Sequence, residues 1–123
     1  MNVSDIVAAW AESGDIRSLS AGEELYRAGD PGLTMYGLLE GEVLLERPGV
    51  SSELLIAGDC FGEGALAQSD HQRFCTARAR TDIRVAEMSR EHFFLALEKS
   101  PVFGLMLIAS MSRRLRSLKG DPG

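Results

Sequence analysis

The sequence predicts a mainly β fold with flanking helices, an antiparallel β roll of the jelly-roll kind. Two observations predict this α+β class. Between Ile16 and Met88, short apolar runs alternate with turn-forming Gly, Pro and Asp residues, which is the spacing of short antiparallel strands. Helix-start residues lie towards the two ends of the chain, at Ser4-Asp5 and at Ser89. A length of 123 residues predicts one domain with one core.

The N-terminal segment, residues 1–15, predicts a short packing helix. Ser4-Asp5 can cap its first turn, and Gly14 is a stop signal. Its apolar residues share one helical face, namely Ile6, Ala9 and Trp10.

The central segment predicts eight strands separated by turns. They are expected at 16–20, 24–27, 35–39, 42–47, 53–56, 60–61, 73–79 and 83–88. Alternation is cleanest over 83–88, although both faces of that strand carry an apolar residue. The faces of the other strands stay open at this stage.

Two helices are predicted after the strands. Ser89 can cap the first, which ends near Lys99, and Pro101 favours the first turn of a second helix over 101–118. Some apolar residues of this last helix alternate at spacings of three and four, as in a coiled coil, and they are Ile108, Met111, Leu115 and Leu118. Because the pattern covers only about two heptads, it predicts at most a weak homodimer.

Basic residues crowd the end of the last helix, and they are Arg113, Arg114, Arg116 and Lys119. From the residues alone, the first interpretation is a solvated last turn whose charges offset the helix dipole. The tail, residues 120–123, is expected to fray.

The composition argues against several classes of function. The formal net charge of −5 disfavours a nucleic-acid surface, since binding to phosphate backbones needs a basic face. No apolar run reaches the ~20 residues of a membrane span, and the first residues do not form a signal peptide, so a cytoplasmic location without membrane contact is expected. Cys60 and Cys75 are too few for a disulfide framework and are interpreted as reduced core residues.

The sequence predicts neither catalysis nor metal binding. His71 and His92 are the only histidines, and neither forms the His-x-His pair of a cupin-type metalloenzyme. No Ser, His and Asp set and no Cys-His pair indicates a nucleophile. We therefore expect a protein that is not an enzyme and that holds no metal or cofactor.

The stretch 60–79 has the composition of a phosphate cradle. Gly62 permits a tight turn, and residues 64–66 offer a short helical turn whose first amides would face an anion. Arg73 presents a planar fork of donors that matches two phosphate oxygens.

Glu63 adds a carboxylate beside this cradle. Because like charges repel, a carboxylate suits a ligand that carries a hydroxyl close to its phosphate, such as a ribose phosphate. The alternative is an ordinary surface loop in which Arg73 pairs with Asp70 or Glu63.

Two motifs together resemble the cyclic nucleotide-binding domain family, which includes the catabolite activator protein, the protein kinase A regulatory subunits and nucleotide-gated channels. One is Phe-Gly-Glu, then Ala-Leu, Arg and Thr, at 61–63, 65–66, 73 and 76. The other is the glycine-punctuated strand pair at 28–43. The resemblance covers roughly residues 16–119, and two ordered motifs are more specific than one.

The resemblance implies cAMP or cGMP as the ligand and a set of binding residues for it. Glu63 would accept the ribose 2'-hydroxyl, and Arg73 would pair with the cyclic phosphate. The N–H groups of Gly62, Gly64 and Phe74 would complete an anion nest with the turn that includes Ala65. Thr76 matches a position that touches the purine in many relatives, and Arg114 matches an arginine that covers the base by a cation–π contact.

Three departures from the family's pattern bear on the cradle. Gly64 replaces the usual Leu, Ile or Met, and Gln72 replaces the proline before the arginine. Phe74 replaces a Ser, Thr or Ala, so its ring would either fill part of the pocket or turn outward.

Two functional hypotheses follow. The first is a regulatory module that captures a cyclic nucleotide and acts on an effector protein through a hinge at Ser100-Pro101. The second is a degenerate module that keeps the roll and serves protein interaction or dimerisation without nucleotide. We expect no helix-turn-helix domain of the kind found in related transcription factors after the last helix, and therefore no direct binding to nucleic acid.

Overall fold

A computed structural model describes residues 3–10 and 15–118, without the side chains of residues 3, 4 and 10. The helices are α1 (Val3–Trp10), α2 (Gly64–Ala67), α3 (Arg90–Lys99) and α4 (Val102–Leu118). The strands are β1 (Ile16–Leu19), β2 (Glu24–Tyr26), β3 (Thr34–Glu40), β4 (Glu42–Arg47), β5 (Val50–Ile56), β6 (Cys60–Phe61), β7 (Thr76–Ala79) and β8 (Ile83–Ser89).

The strands form two four-stranded antiparallel sheets. One has the order β1-β8-β3-β6, and the other has the order β2-β7-β4-β5. The chain crosses repeatedly between them, as in a roll. The predicted antiparallel β roll with flanking helices is therefore confirmed.

Strand β8 explains where the core lies. Ile83 and Val85 belong to a cluster between the two sheets, whereas Ala86 and Met88 belong to a second cluster beneath the helices. The strand therefore has an apolar residue on both faces because both faces are covered. The helix-side cluster includes Phe103 of α4, so the last helix is anchored to the roll by its first turn.

The C-terminal helices are capped and separated as the sequence predicts. The Ser89 hydroxyl accepts a hydrogen bond of 3.1 Å from the His92 N–H and caps α3. The chain breaks at Ser100 and Pro101, and α4 leaves at an angle of 116° to α3. Among the described residues no single helix is long and apolar enough to cross a membrane, and only this bent pair meets that requirement together.

Two predicted strands differ from the structure. The strand expected over 73–79 is limited to β7, because residues 71–73 instead pair with the loop that follows β2. The strand expected over 53–56 begins earlier, at Val50, directly after the hairpin turn at residues 48–49.

Several expectations lie outside the described residues. They concern Gly14, Lys119 and residues 120–123, together with the side chains of Ser4 and Trp10.

Candidate functional site

The two motifs of the sequence meet in space through backbone hydrogen bonds. The Arg73 N–H donates to the Asp30 carbonyl at 2.8 Å, and the Arg73 carbonyl accepts from the Gly29 N–H at 2.8 Å. The Gly32 N–H donates to the His71 carbonyl at 2.9 Å. The loop after β2 therefore fixes the backbone of Arg73 within the cradle.

Arg73 is buried, with only 5% of its surface exposed. Its Nη1 donates to the carbonyl oxygens of Thr34 and Gly62, each at 2.9 Å, and its Nη2 donates to the Thr34 hydroxyl at 2.9 Å. Among the described residues its acceptors are all neutral. The alternative pairing of Arg73 with Asp70 or Glu63 is wrong, since the guanidinium bonds to β3 and the Gly62 turn instead.

Aromatic rings and two glycines shape the space around this guanidinium. Its central carbon lies 4.4 Å from the centre of the Tyr26 ring and 5.5 Å from that of Tyr36. A methyl group on Gly32 or on Gly62 would overlap the guanidinium. Gly62 also has a φ of +79°, the left-handed conformation that favours glycine. These positions hold the cation in one place.

The short helix predicted near Gly64 is present as α2, directly after the Gly62 turn. The Ala65 N–H donates to the Gly62 carbonyl at 3.3 Å, and the Ala65 carbonyl bonds to His71 Nδ1 at 2.7 Å. This side-chain contact of His71 ties the loop to α2, so the residue is more than a solvated loop position.

Glu63 lies between this turn and the last helix. Its Oε1 accepts from Arg114 Nη1 at 3.3 Å. Its Oε2 is buried and has no hydrogen-bond partner among the residues that the structure describes. A buried carboxylate oxygen left unpaired is costly, so it is poised to accept a hydrogen bond from a ligand.

Arg114 reaches from α4 to β5, β6 and Glu63. Its Nε and Nη2 donate to the two carboxylate oxygens of Glu53, at 2.7 and 3.0 Å, and its Nη1 also donates to the Cys60 carbonyl at 2.7 Å. Burial alone would lower the pKa of Arg114, but the hydrogen bond to Glu53 and the charges of Glu63 and Glu53 raise it. Arg114 therefore keeps its positive charge although it is largely buried.

A second ion pair joins α4 to the roll beside the first. Arg113 pairs with Asp59, which is buried in the loop between β5 and β6. The interpretation of the basic residues as a solvated last turn is therefore wrong for Arg114, whose side chain is only 14% exposed, whereas Arg113 stays exposed to solvent although it has a carboxylate partner on the roll.

Phe74 turns outward to the surface. Its side chain is 64% exposed, and the Arg47 guanidinium lies 4.3 Å from the centre of its ring. Arg47 Nη1 also donates to the Phe74 carbonyl at 2.6 Å. The departure from the family's pattern at this position therefore falls on the surface.

Thr76 lies apart from Arg73 and Glu63. Along β7 it alternates with the buried Ala77, so its side chain shares the outer face of the sheet with Arg78. Its hydroxyl accepts from the Ala28 N–H at 3.1 Å. The expectation that Thr76 touches a base is not supported, because the side chain points away from the interior of the roll.

Glu53, Tyr26 and Thr34 are the site residues that sequence reasoning missed. The one available signal is that Glu53 directly precedes the apolar run at 54–56 of β5, where a charge is unexpected in a packed strand. Burial raises the pKa of Tyr26, so its ring stays neutral beside Arg73. Among the described residues, no group of three or more His, Cys, Asp or Glu side chains could hold a metal ion.

Comparison with protein families gives a match over most of the chain. The family model of the cyclic nucleotide-binding domain matches residues 16–100.

Two curated relatives cover most of this chain. It is 35% identical over 106 residues to a cAMP-dependent protein kinase regulatory subunit of Emericella nidulans, covering 85% of this chain and 25% of that protein. It is 30% identical over 97 residues to the cAMP-activated global transcriptional regulator CRP of Escherichia coli O157:H7, covering 75% of this chain and 46% of that protein. The chain thus spans less than half the length of either relative.

Two solved structures share the fold. One, reported under "A cyclic-GMP-dependent signalling pathway regulates bacterial phytopathogenesis", has a TM-score of 0.77 at 25% identity and covers 91% of this chain and 90% of the other. The catabolite activator protein of Thermus thermophilus has a TM-score of 0.72 at 25% identity and covers 95% and 55%.

Proposed function

The chain belongs to the cyclic nucleotide-binding domain family, and we propose that it binds a cyclic nucleotide, cAMP or cGMP, and passes the binding event to its last helix. The observation that carries this proposal is the state of Arg73. It is a buried cation whose described acceptors are all neutral. A buried charge without a counter-charge is costly, so a phosphate entering beside it gains a strong, charge-assisted pair.

Glu63 supplies the second half of the site. Its unpaired Oε2 would accept the ribose 2'-hydroxyl, which satisfies an oxygen that is otherwise buried without a partner. The proposed ligand set is completed by the turn on either side of Glu63, with Gly62, Gly64 and Ala65 around the phosphate. The relative reported in a cyclic-GMP-dependent pathway and the cAMP-dependent relatives support a cyclic nucleotide as the ligand class.

Arg114 supplies the link from the ligand to the last helix. It lies on α4 and bonds to Glu63, so a ligand that binds Glu63 acts directly on a contact between helix and roll. Arg113 adds a contact next to it. A shift of α4 requires that the ligand bind more tightly when the helix is in one position than in another. A ligand that binds Glu63 changes its contact with Arg114, so its binding free energy depends on where the helix lies.

A thermal melting experiment tests this function. Binding to the folded state alone raises stability by roughly 2.7 kcal/mol at a hundred times the dissociation constant, so cAMP or cGMP should raise the melting temperature. 5'-AMP and 5'-GMP serve as ligand controls, and 2'-deoxy-cAMP tests the contact to Glu63. Arg84→Ala is the matched protein control, because Arg84 is exposed on β8, where it pairs with the exposed Glu40.

The outcomes separate the two functional hypotheses. A shift with cyclic nucleotides that is lost in Arg73→Ala and kept in Arg84→Ala supports the receptor. The absence of any shift at millimolar cAMP and cGMP would leave the degenerate interaction module as the better account.

We also propose a weak homodimer through α4. The side chains of Ile108, Met111, Leu115 and Leu118 lie exposed on this helix, with 44% to 62% of their surface accessible. Such a row of exposed apolar side chains suits a helix that packs against a copy of itself, although two heptads bury little area.

A further inference from the structure

We propose that Glu53 selects the base and gives the protein a preference for cGMP over cAMP. The inference rests on the proposed function, because it assigns the part of the same ligand that Arg73 and Glu63 do not touch. It starts from the position of Glu53 inside the roll.

Glu53 lies on the inner face of β5. It is paired across the sheet with Leu45 of β4, a core residue, and only 15% of its side chain is exposed. Acidic side chains are rarely placed so unless they are paired. The pair with Arg114 accounts for this burial, and it holds the carboxylate in a defined place on the inner face of β5.

Arg114 ties Glu53 to the ribose-binding carboxylate. One edge of its guanidinium bonds to Glu53, and Nη1 bonds to Glu63. The two carboxylates are thus separated by a single guanidinium. A nucleotide whose ribose is held at Glu63 would place its base within reach of Glu53, on the other side of this guanidinium.

The carboxylate of Glu53 has acceptor capacity left after the pair with Arg114. An ionised carboxylate offers about four lone-pair sites, and Arg114 uses one on each oxygen. The remaining lone pairs can accept hydrogen bonds from a ligand group that binds beside Arg114 or takes its place. Such a group must be a donor, because a carboxylate cannot donate.

Guanine and adenine differ in the hydrogen-bond donors that they present to a carboxylate. Guanine presents two neighbouring donors, N1–H and the 2-amino group, which match the two oxygens of a carboxylate. Adenine presents one donor, the 6-amino group, beside the N1 acceptor, and that acceptor would face a carboxylate oxygen. A site built for hydrogen bonds rejects a ligand that leaves its buried polar groups unpaired.

The surroundings of Glu53 strengthen this discrimination. Leu45 is buried directly opposite it on β4, and only 15% of the Glu53 side chain is exposed. Hydrogen bonds in such a low-dielectric environment are stronger than in water, and unpaired groups cost more.

The test compares the dissociation constants of cGMP, cyclic IMP and cAMP by calorimetric titration. Cyclic IMP keeps N1–H but lacks the 2-amino group, so the expected order of affinity is cGMP, then cyclic IMP, then cAMP. One bidentate pair typically gives about 5- to 150-fold discrimination between bases, and the cGMP preference is expected in that range. Equal affinities for all three nucleotides would overturn the proposal.

Glu53→Gln tests the residue itself. An amide presents one acceptor and one donor, which match adenine, so the preference should fall to about one or reverse towards cAMP. Glu46→Gln is the matched control, because Glu46 lies on the neighbouring strand with its side chain half exposed and paired with Arg78. It should keep the cGMP preference. An unchanged preference in Glu53→Gln would overturn the inference.

These outcomes are distinguishable from failure of the proposed function. If no cyclic nucleotide binds to the unmodified protein, both the receptor and the selectivity are contradicted. If cAMP and cGMP bind equally and Arg73→Ala abolishes both, the receptor stands and Glu53 is not the selector. Should Glu53→Gln fail to fold, the order of the three nucleotides on the unmodified protein still decides.

Discussion

At the scale of single residues, the site is defined by two charges with unusual surroundings. Arg73 is a buried cation with neutral acceptors in the described part of the chain, and Glu63 keeps a buried oxygen without a partner. If Arg73 and Glu63 formed an ion pair with each other, each would satisfy the other and neither would be left for a ligand. Here both remain available, which is why a ligand carrying a phosphate and a hydroxyl fits both.

Phe74 is exposed beside the cradle, and its substitution should leave binding unchanged. Phe74→Ser removes a ring that is exposed and stacked on Arg47. We expect a dissociation constant for cGMP within about twofold of the unmodified protein, and a loss of roughly 0.5–1 kcal/mol in the free energy of unfolding from the lost cation–π contact. Titration and urea denaturation measure the two effects. A marked gain in affinity would show that the ring obstructs the ligand.

At the scale of elements, the sequence predicted those whose signals are local. Ser89 identified the start of α3, and Pro101 identified the break before α4, since capping and the geometry of proline act within one turn. The strand expected at Arg73 was wrong, because residues 71–73 take their hydrogen bonds from a loop some 40 positions earlier in the chain. Such long-range pairing leaves no local pattern.

The burial of Arg114 and of Glu53 could not be predicted for the same reason, and Arg114 was assigned to the site only by its match to an arginine of the family. Each alone resembles a surface charge, and their burial follows only from their pairing across 61 residues. The roles of Arg73 and Glu63 came instead from a resemblance between motifs, which carries information that periodicity does not.

The apolar row on α4 gives a prediction at this scale. Leu115→Asp places a charge in the row while the anchor of the helix, Phe103, stays in the core. We expect sedimentation at high micromolar concentration to show a weak dimer for the unmodified protein and a monomer for the variant. Arg116→Asp, which changes charge on an exposed position outside the apolar row, is the control. A monomer in every case would contradict the dimer.

At the scale of the whole molecule, folding buries groups that resist ionisation at high pH. Burial raises the pKa of the Cys60 thiol, of the Cys75 thiol and of the Tyr26 hydroxyl. The unfolded chain therefore loses these protons at a lower pH than the folded chain does. Above about pH 9 the unfolded state binds fewer protons, so stability falls as pH rises.

We expect the urea midpoint to be steady from pH 7 to 8 and to fall above about pH 9. A buried thiol such as Cys60 contributes up to about 1.4 kcal/mol per pH unit once the unfolded chain ionises. Cys60→Ala should make the decline shallower between about pH 9 and 10.5. A midpoint that stays level or rises over this range would contradict the assignment.

The whole account depends on whether Arg73 captures the phosphate of a cyclic nucleotide, and a calorimetric titration of the unmodified protein against Arg73→Ala tests this most directly. Losing one side of a buried charged pair typically costs ~2 to 5 kcal/mol, so cGMP should bind the unmodified protein ~30-fold to several thousand-fold more tightly than the variant. Arg73→Lys should recover only part of the loss, since lysine lacks the planar fork. Equal affinity in the unmodified protein and Arg73→Ala, or no heat from either at millimolar nucleotide, would contradict the account.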